Sequence, residues 1–402
     1  MSEEQILIGR PPLLRQTNAE LLLRLLRESG PCSKADLVRA SGLSAPTVTN
    51  VVAHLAAAGL VEAIGEGEST GGRPPDILRF RAERGCLLGA EIGPNFVAFL
   101  VVDLEGRELA QNKATFTPES SNPKAICDLI GREARALLRV LKKPAEHLLR
   151  VVVSAPAIVD MNAGVVMSLS KLKGWSEVPL REMLSRELKC PVEVENDTNL
   201  AAQGEFARGA ARGEKNFVFI TIGEGVGAGV FIDGKIYRGT RWSAGEIGYL
   251  RVPNVSRENP TIHGYGRLEK MLGGPGILKS WRTAGRKAGA RLKVEHATDV
   301  FNLAAAGNAN AMRILRQKAR ILADVVLDLA LILNPGLILL GGEVGNHTGL
   351  LREVQELLAG SEFGVTSIKL GELGTTAVLW GAVASGLDSG IAGLLQPAKV
   401  EA

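Results

Sequence analysis

The chain has 402 residues, with 47 lysines and arginines against 43 aspartates and glutamates, and its formal net charge is +4. This length exceeds what one hydrophobic core usually organises, so we expect two or three domains. A hydrophobic fraction of 46% together with 47 glycines excludes a disordered or fibrous chain. The composition is typical of an α/β protein with many tight turns.

The ends and the apolar runs of the sequence indicate a cytoplasmic protein with no membrane partner. The first residues, MSEEQILIGRPP, are acidic and lack the pattern of a secretory signal. The longest apolar region, 325–340, is interrupted by Asp328 and by Asn334-Pro335-Gly336, which favours a core helix and a strand over a membrane span. The four cysteines have no paired spacing, so neither a disulfide framework nor a zinc cluster is predicted.

Residues 12–81 predict a winged helix-turn-helix domain. Three helical patterns follow one another at 17–30, 33–42 and 44–59, with a short turn between the last two. Two apolar runs then flank a Gly/Ser/Thr-rich turn, as in a β-hairpin wing. The alternative is a helical hairpin whose polar side is only solvated.

Four side chains of this segment are candidates for DNA contact. Thr47, Thr49 and Asn50 lie outside the apolar stripe of the third helix, and Asn can read adenine in the major groove. Arg73 lies in the predicted wing, where a cation suits a narrow minor groove. Residues 1–81 contain nine basic and nine acidic residues, so the prediction depends on motif geometry and not on net charge.

The rest of the chain predicts two α/β lobes around a cleft. A strand–turn–strand pattern with glycines at the joints occurs twice, beginning near residues 86 and 217. We assign 85–195 to the first lobe, to which a C-terminal helix at 385–402 would return, and 196–384 to the second. Glycines at the joints would allow close backbone approach to a ligand between the lobes.

Several motifs together make the chain resemble the ROK (repressor/ORF/kinase) family of sugar kinases and sugar-responsive regulators. The resemblance implies an actin-like, hexokinase-like (ribonuclease H-like) fold for the two lobes, behind a winged helix that binds operator DNA. Its carriers are STGGRPP in the wing, ENDTNLAAQGE (195–205), TIGEGVGAGVFIDGKIYRG (221–239), SAGEIGYL (243–250), Glu269 in GRLEK, and NPGLILLGGEV (334–344). Glutamates in the wing and Asn50, at a position where such modules often carry a basic residue, are departures from the pattern.

The resemblance also implies a set of sugar-binding residues. They match positions whose oxygen atoms hold sugar hydroxyls in the family, or border them: Asn196, Asp197, Glu246, Tyr249 and Glu269. In a family kinase the residue at the position of Asp197 is the catalytic base. Asp197 also directly precedes a predicted helix, so a simple helix N-cap is the alternative interpretation.

The phosphate-binding motifs of the family kinases are altered in this chain. The first reads Asp-x-Gly-Gly-Thr-Lys in the family and Glu91-Ile92-Gly93-Pro94-Asn95-Phe96 here, which removes the cation and one backbone N–H. The second carries Glu224 between Gly223 and Gly225. A carboxylate at that place would repel phosphates, so we expect no ATP cofactor and no kinase activity.

The zinc site of some family members is also altered. Its histidine position is Tyr249, and its cysteine positions are Pro260, Ile262 and Arg267, none of which can replace a thiolate. His263 lies nearby without partners. No metal is therefore expected.

Together these patterns predict a sugar-responsive transcriptional regulator, a repressor by preference, that binds operator DNA as a homodimer or homotetramer. The first alternative is an ATP-dependent sugar kinase, for a hexose or an N-acetylhexosamine, that carries a DNA-binding module. The second is a constitutive DNA-binding protein whose lobes only dimerise. The sequence identifies neither the sugar nor the operator.

Overall fold

The structure is a computed structural model, and it describes residues 11–67, 74–168, 172, 174–251, 266–288, 294–361 and 367–395. An N-terminal segment of three helices and three short strands is followed by two longer segments, each of which mixes strands and helices. The elements form one small N-terminal domain and two larger α/β layers, each built on a five-stranded sheet.

The N-terminal domain is a helix-turn-helix with a β-hairpin, as predicted. Ser33 caps the second helix in a capping box with Asp36, and Ser44 caps the third. Gly42, at φ +70°, ends the second helix in the left-handed conformation that glycine adopts without strain. In chain order the elements are α1 (Pro11–Ser29), β1 (Cys32–Ser33), α2 (Lys34–Ser41), α3 (Ala45–Ala57), β2 (Val61–Glu66) and β3 (Asp76–Phe80).

The first large sheet has the strand order β11-β7-β4-β5-β6. Strands β4, β7 and β11 are parallel, and the sheet continues with β5 antiparallel to β4 and β6 antiparallel to β5. The elements of this part are β4 (Cys86–Ile92), β5 (Phe96–Asp103), β6 (Glu108–Thr115), α4 (Pro123–Val140), β7 (Leu148–Ala155), β8 (Ile158–Asp160), β9 (Val165–Ser168), β10 (Ser176–Val178), α5 (Leu180–Leu188) and β11 (Val192–Asn196). Strands β8 to β10 form a small separate sheet.

The second large sheet has the order β14-β13-β12-β15-β16, again with an antiparallel hairpin next to parallel strands. The same plan therefore occurs twice. The elements are α6 (Asp197–Arg208), β12 (Phe217–Ile222), β13 (Val226–Ile232), β14 (Lys235–Ile236), α7 (Arg267–Leu272), α8 (Gly274–Ala288), α9 (Ala297–Ala305), α10 (Ala309–Leu333), β15 (Leu337–Gly341), α11 (Gly342–Gly345), α12 (Thr348–Leu358), β16 (Ile368–Leu370) and α13 (Ala377–Leu395).

Helix α13 connects all three parts of the molecule. It packs on α6, on β4 and β7 of the first large sheet, and on α1. By length and composition this apolar helix is the one candidate membrane span among the described residues, but it lies inside the fold and completes a shared core. It begins at Ala377, eight residues before the predicted start at 385. Residues 396–402 of the predicted helix lie outside the described residues. The domain boundaries of the sequence analysis stay a prediction.

Candidate functional site

A cavity of about 400 Å³ is lined by residues from both large sheets. All five residues predicted to bind a sugar line it: Asn196, Asp197, Glu246, Tyr249 and Glu269. They come from the end of β11, the start of α6, the segment after β14 and the first turn of α7. The fold thus brings together residues that span more than seventy positions of the sequence.

The start of α6 settles which residue caps the helix. Asn196 is the N-cap, because its Oδ1 accepts a hydrogen bond from the Asn199 N–H at 3.0 Å. The Asn196 Nδ2 donates to the Ala157 carbonyl at 3.1 Å, which fixes the amide. The capping alternative for Asp197 is therefore wrong. Asp197 is the first residue of the helix and lines the cavity.

A buried ion pair, which was not predicted from the sequence, supports this turn. Glu195 is 4% exposed, and its carboxylate accepts a hydrogen bond from the Arg238 Nε at 2.7 Å. The other oxygen of Glu195 accepts from the Asn196 backbone N–H at 2.9 Å and from the Asn199 Nδ2 at 3.1 Å. Arg238 thereby holds the carboxylate that orients the first turn of α6. The acidic residue before the Asn-Asp pair was the available signal, but its partner lies 43 residues away.

Glu246 is positioned by glycines that lie against β13. A Cβ on Gly245 would overlap the Ala228 carbonyl oxygen and lie 2.9 Å from its carbon, and Gly245 has φ +87°. A Cβ on Gly248 would meet the Val226 carbonyl. Only glycine allows this close approach, so the segment between the two glycines is held on the strand with Glu246 at the cavity.

Glu269 is the third residue of α7, and its Oε2 accepts a hydrogen bond from the Gly266 N–H at 3.1 Å. Its Oε1 lies where a Cβ on Gly225 would come within 2.8 Å of it. The carboxylate therefore packs on the backbone of the β12–β13 turn.

Burial, and after it the charge of neighbouring carboxylates, raises the pKa of three groups that line the cavity. Burial, followed by the charge of Asp197, raises the pKa of Glu246 to about 7, and Glu269 adds to the effect. Burial and Asp197 likewise raise the pKa of Glu91 to about 7, against the lowering influence of Lys113. Burial, followed by the charges of Glu246 and Glu269, raises the pKa of the Tyr249 hydroxyl. Two of the cavity's closely spaced carboxyl groups, Glu91 and Glu246, are thus partly protonated near pH 7.

The turn that replaces the first phosphate motif is a tight β4–β5 hairpin. The Gly93 N–H donates to the Phe96 carbonyl at 2.8 Å, so this donor is used within the turn. The Phe96 ring packs over Gly93, where a Cβ would not fit. The Lys113 ammonium lies 3.8 Å from the centroid of this ring. An aromatic ring therefore stands at position 96 of this turn, and the neighbouring cation comes from β6.

The second glycine-rich turn also bonds to its own surroundings. The Gly223 N–H donates to the Gly225 carbonyl at 2.9 Å, and the Gly223 carbonyl accepts from the Gly274 N–H at 2.8 Å. Glu224, between the two glycines, lines the cavity, as does Glu343 after β15. Among the described lining residues six are carboxylates and none is a lysine, arginine or histidine.

Two tryptophans lie in different surroundings. Trp175 is 2% exposed and donates from Nε1 to the Ser121 carbonyl at 2.6 Å, so it is a core residue. Trp242 is half-buried, lines the cavity and has φ +60°. Its place was not predicted, because no local sequence pattern distinguishes a cavity tryptophan from a core one.

The positions of the family's zinc site are only partly described. Tyr249 lies at the cavity and Arg267 is the first residue of α7. Pro260, Ile262 and His263 lie outside the described residues. Within the described ranges, no group of three or more histidine, cysteine, aspartate or glutamate residues has a geometry that could hold a metal ion.

Three of the four predicted DNA-contacting residues lie on one helix of the N-terminal domain. Thr49 and Asn50 are exposed on α3, whereas the Thr47 hydroxyl lies 2.8 Å from the hydroxyl of the N-cap Ser44. Arg73 lies outside the described residues.

One carboxylate of the predicted wing is paired with arginines. Glu62, one of its carboxylates, accepts a hydrogen bond from the Arg79 Nε at 3.0 Å and lies 3.3 Å from the Arg81 Nε. Glu66 is exposed at the end of β2, and Glu68 lies outside the described residues.

Comparisons with known proteins agree with this architecture. The model of the ROK family matches residues 87–385, and the model described as the MarR family matches residues 18–73. The xylose repressor of Bacillus spizizenii is 27% identical over 303 residues, which are 75% of this chain and 78% of the repressor.

Two solved structures share the fold. One is a ROK family transcriptional regulator described as a homologue of the E. coli Mlc protein; it covers 95% of this chain and 98% of its own, with a TM-score of 0.79 at 22% identity. The other is a ROK family glucokinase from Streptomyces griseus in complex with glucose and AMPPNP; it covers 74% of this chain and 98% of its own, with a TM-score of 0.63 at 26% identity.

Proposed function

The chain belongs to the ROK family, and from that premise we propose that it is a transcriptional repressor whose lobes bind a sugar effector. The winged helix binds operator DNA, and the cavity between the large sheets binds the sugar. The cavity itself supports this proposal. The five residues predicted to bind a sugar lie together there, and none of the described lining residues is a lysine, arginine or histidine. A protein of this kind acts in the cytoplasm, where its DNA is.

The proposed sugar contacts follow from the chemistry of the lining. Carboxylates accept hydrogen bonds from hydroxyls more strongly than neutral groups do, and Asp197, Glu246 and Glu269 supply them. The Asn196 amide has one more acceptor lone pair and one more donor hydrogen than its two protein bonds use. Tyr249 borders the same space.

The absence of kinase activity is part of the proposal. Phosphoryl transfer needs cations that neutralise the phosphates. Here the β4–β5 turn uses its glycine N–H internally and carries Phe96 in place of the lysine, while Glu224 and Glu343 add negative charge. These features disfavour a bound triphosphate. Asp197 then binds a sugar hydroxyl and does not act as the base of a phosphoryl transfer.

The signal passes from the cavity to the winged helix through two packed helices. Helix α6 begins at the cavity and packs on α13 so closely that a Cβ on Gly204 would lie 3.0 Å from the Gly381 nitrogen. Helix α13 in turn shares a hydrophobic core with the winged helix, through apolar side chains that include Leu22, Leu26, Leu379, Val383 and Ile391. Rigid helices in contact can carry a displacement from the cavity to the winged helix.

In this mechanism, closure of the lobes on a sugar moves α6, and α13 moves the winged helix with it. Repressors of this type bind two half-sites as dimers, so a change in the spacing of two winged helices weakens operator binding. We therefore propose that the working form is a homodimer or homotetramer and that the sugar relieves repression.

Calorimetry with the full chain separates the regulator from the kinase alternative. A panel of sugars and Mg·ATP are titrated separately and together, and ADP release is followed in parallel. The proposal requires saturable binding of a sugar without nucleotide and no ADP release above background. Nucleotide binding with sugar-dependent ADP release that is lost in Asp197→Asn would instead establish the sugar kinase. A protein that binds DNA but none of the sugars would be the constitutive DNA-binding protein.

A further inference from the structure

The exposed face of α3 indicates which bases it contacts. In a helix-turn-helix, the N-terminal residues of the second helix contact base edges in the major groove of DNA. Helix α3 is this second helix, and it buries its valines and Leu55 in the domain core. The opposite, exposed face carries residues three and four positions apart, towards the N-terminal end. This reading face consists of Pro46, Thr49, Asn50 and Ala53.

The composition of α3 limits the bases that it can read. Arginine and lysine read guanine, and aspartate and glutamate accept a hydrogen bond from cytosine. Asparagine bonds adenine through two hydrogen bonds, and small apolar groups contact the methyl group of thymine. Helix α3 contains no lysine, arginine, aspartate or glutamate. Its reading face offers the Asn50 amide and, around it, side chains with exposed carbon atoms.

We propose that the base pairs facing α3 are A·T pairs, with Asn50 on an adenine and with the Thr49 methyl group and Ala53 on thymine methyl groups. The proposal assigns the class of base pair that the operator presents in the major groove opposite this helix. It rests on the operator binding proposed above.

The neighbouring polar side chains at the start of α3 are used within the protein. The Ser44 hydroxyl accepts a hydrogen bond from the Thr47 N–H at 3.4 Å and lies 2.8 Å from the Thr47 hydroxyl. These two residues therefore hold the first turn of the helix. His54 is exposed but lies a turn beyond Asn50, towards the C-terminal end. Thr49 and Asn50 are thus the exposed polar residues best placed to contact bases.

The lack of cations on α3 separates base contacts from phosphate contacts. Lysine and arginine that neutralise phosphates release counterions, which makes DNA affinity fall with salt. Since α3 has no lysine or arginine, changes on its reading face should lower the affinity for the selected sequence and leave the salt dependence unchanged. A side chain that only contacts the DNA backbone would instead lower the affinity for all sequences alike.

The test uses the full chain and DNA analogues that lack single chemical groups. The protein selects its operator from a random duplex library, and each thymine and adenine of a half-site is then replaced in turn. Uracil removes the thymine methyl group, and an adenine analogue with carbon in place of N7 removes one hydrogen-bond acceptor. We expect at least one uracil to lower the affinity by about threefold or more and one adenine analogue to lower it by about tenfold. Fluorescence anisotropy at fixed salt measures the affinity for each duplex.

Variants tie these losses to α3. Thr49→Ser removes a methyl group and keeps the hydroxyl, so the loss caused by uracil at the thymine that it faces should disappear. Asn50→Ala should abolish the loss caused by the adenine analogue and make the bases at that position nearly equal in affinity. The matched control is Asn302→Ala, an exposed asparagine of α9 outside the N-terminal domain, which should keep every loss.

Each outcome decides between the two proposals. A G·C pair required at the position where Asn50→Ala loses discrimination overturns this inference and leaves operator binding intact. A wild-type protein whose affinity is unchanged by every uracil and every adenine analogue also overturns it, and this result does not depend on the folding of a variant. Losses that persist in both variants overturn it as well, because α3 would then not be their source. If the selection yields no preferred sequence, operator binding itself fails, and this inference fails with it.

Discussion

Replacement of Gly381 by alanine tests the packing through which we propose that the cavity and the winged helix communicate. A Cβ at this position would overlap the Leu200 carbonyl oxygen and lie 2.6 Å from its carbon and 2.9 Å from the Gly204 nitrogen. All three atoms belong to the backbone of α6, so no flexible side chain can move aside. Overpacking of this kind costs about 1 to 3 kcal/mol or more, and the better helix propensity of alanine returns about 1.

We therefore expect Gly381→Ala to lower the free energy of unfolding by about 2 kcal/mol, since the backbone contacts place the cost at the upper end. The matched control is Gly393→Ala in the same helix, where a Cβ would meet nothing within 4 Å. The control should gain about 0.5 to 1 kcal/mol. Urea unfolding followed by circular dichroism measures both, with the slope compared between variants. A Gly381→Ala protein as stable as the wild type would refute the close helix contact.

Three further predictions concern single side chains. Lys318 is 3% exposed in α10, and burial lowers its pKa to about 8. On folding at neutral pH its ammonium must lose either its proton or its hydration. Lys318→Met should therefore raise the free energy of unfolding by about 1 to 3 kcal/mol at pH 7. The wild type should gain stability as the pH rises from about 8 to about 10, and urea titrations in which the gap to the variant did not narrow would contradict this. Arg238→Ala leaves Glu195 buried without its cation, which should cost about 2 to 3 kcal/mol and weaken sugar binding in calorimetry, whereas full sugar affinity would show that the ion pair does not orient α6. Asn50→Ala on α3 should weaken binding to a selected DNA duplex by about tenfold in fluorescence anisotropy without changing sugar affinity, and unchanged DNA affinity would remove Asn50 from the interface.

Local chemistry made much of the fold predictable. Ser33, Asp36 and Ser44 are capping residues next to short helical patterns, and the structure shows them as caps. The Asn-Asp pair was ambiguous, because either side chain can cap a helix. Strand β11 ends at Asn196, so Asn196 is the N-cap of α6 and Asp197 is the first residue of the helix.

The parts of the site that escaped prediction depend on distant residues. The pair of Glu195 with Arg238 joins positions 43 apart, and no sequence period connects them. Glu91 lies in β4 and Glu343 in α11 after β15, and both line the cavity because it lies between the two large sheets. The role of Trp242 could not be predicted from the sequence, since nothing in its neighbours along the chain indicates its φ of +60°.

The most direct test of a sugar-responsive repressor is the operator affinity of the full chain with and without its sugar. A duplex selected by the protein from a random library is labelled, and its dissociation constant is measured by anisotropy at fixed salt, because protein–DNA affinity depends on salt. For a sugar-responsive repressor we expect a saturating sugar to raise the dissociation constant at least about tenfold, a coupling of about 1.4 kcal/mol. An unchanged dissociation constant, with the sugar demonstrably bound, would contradict it.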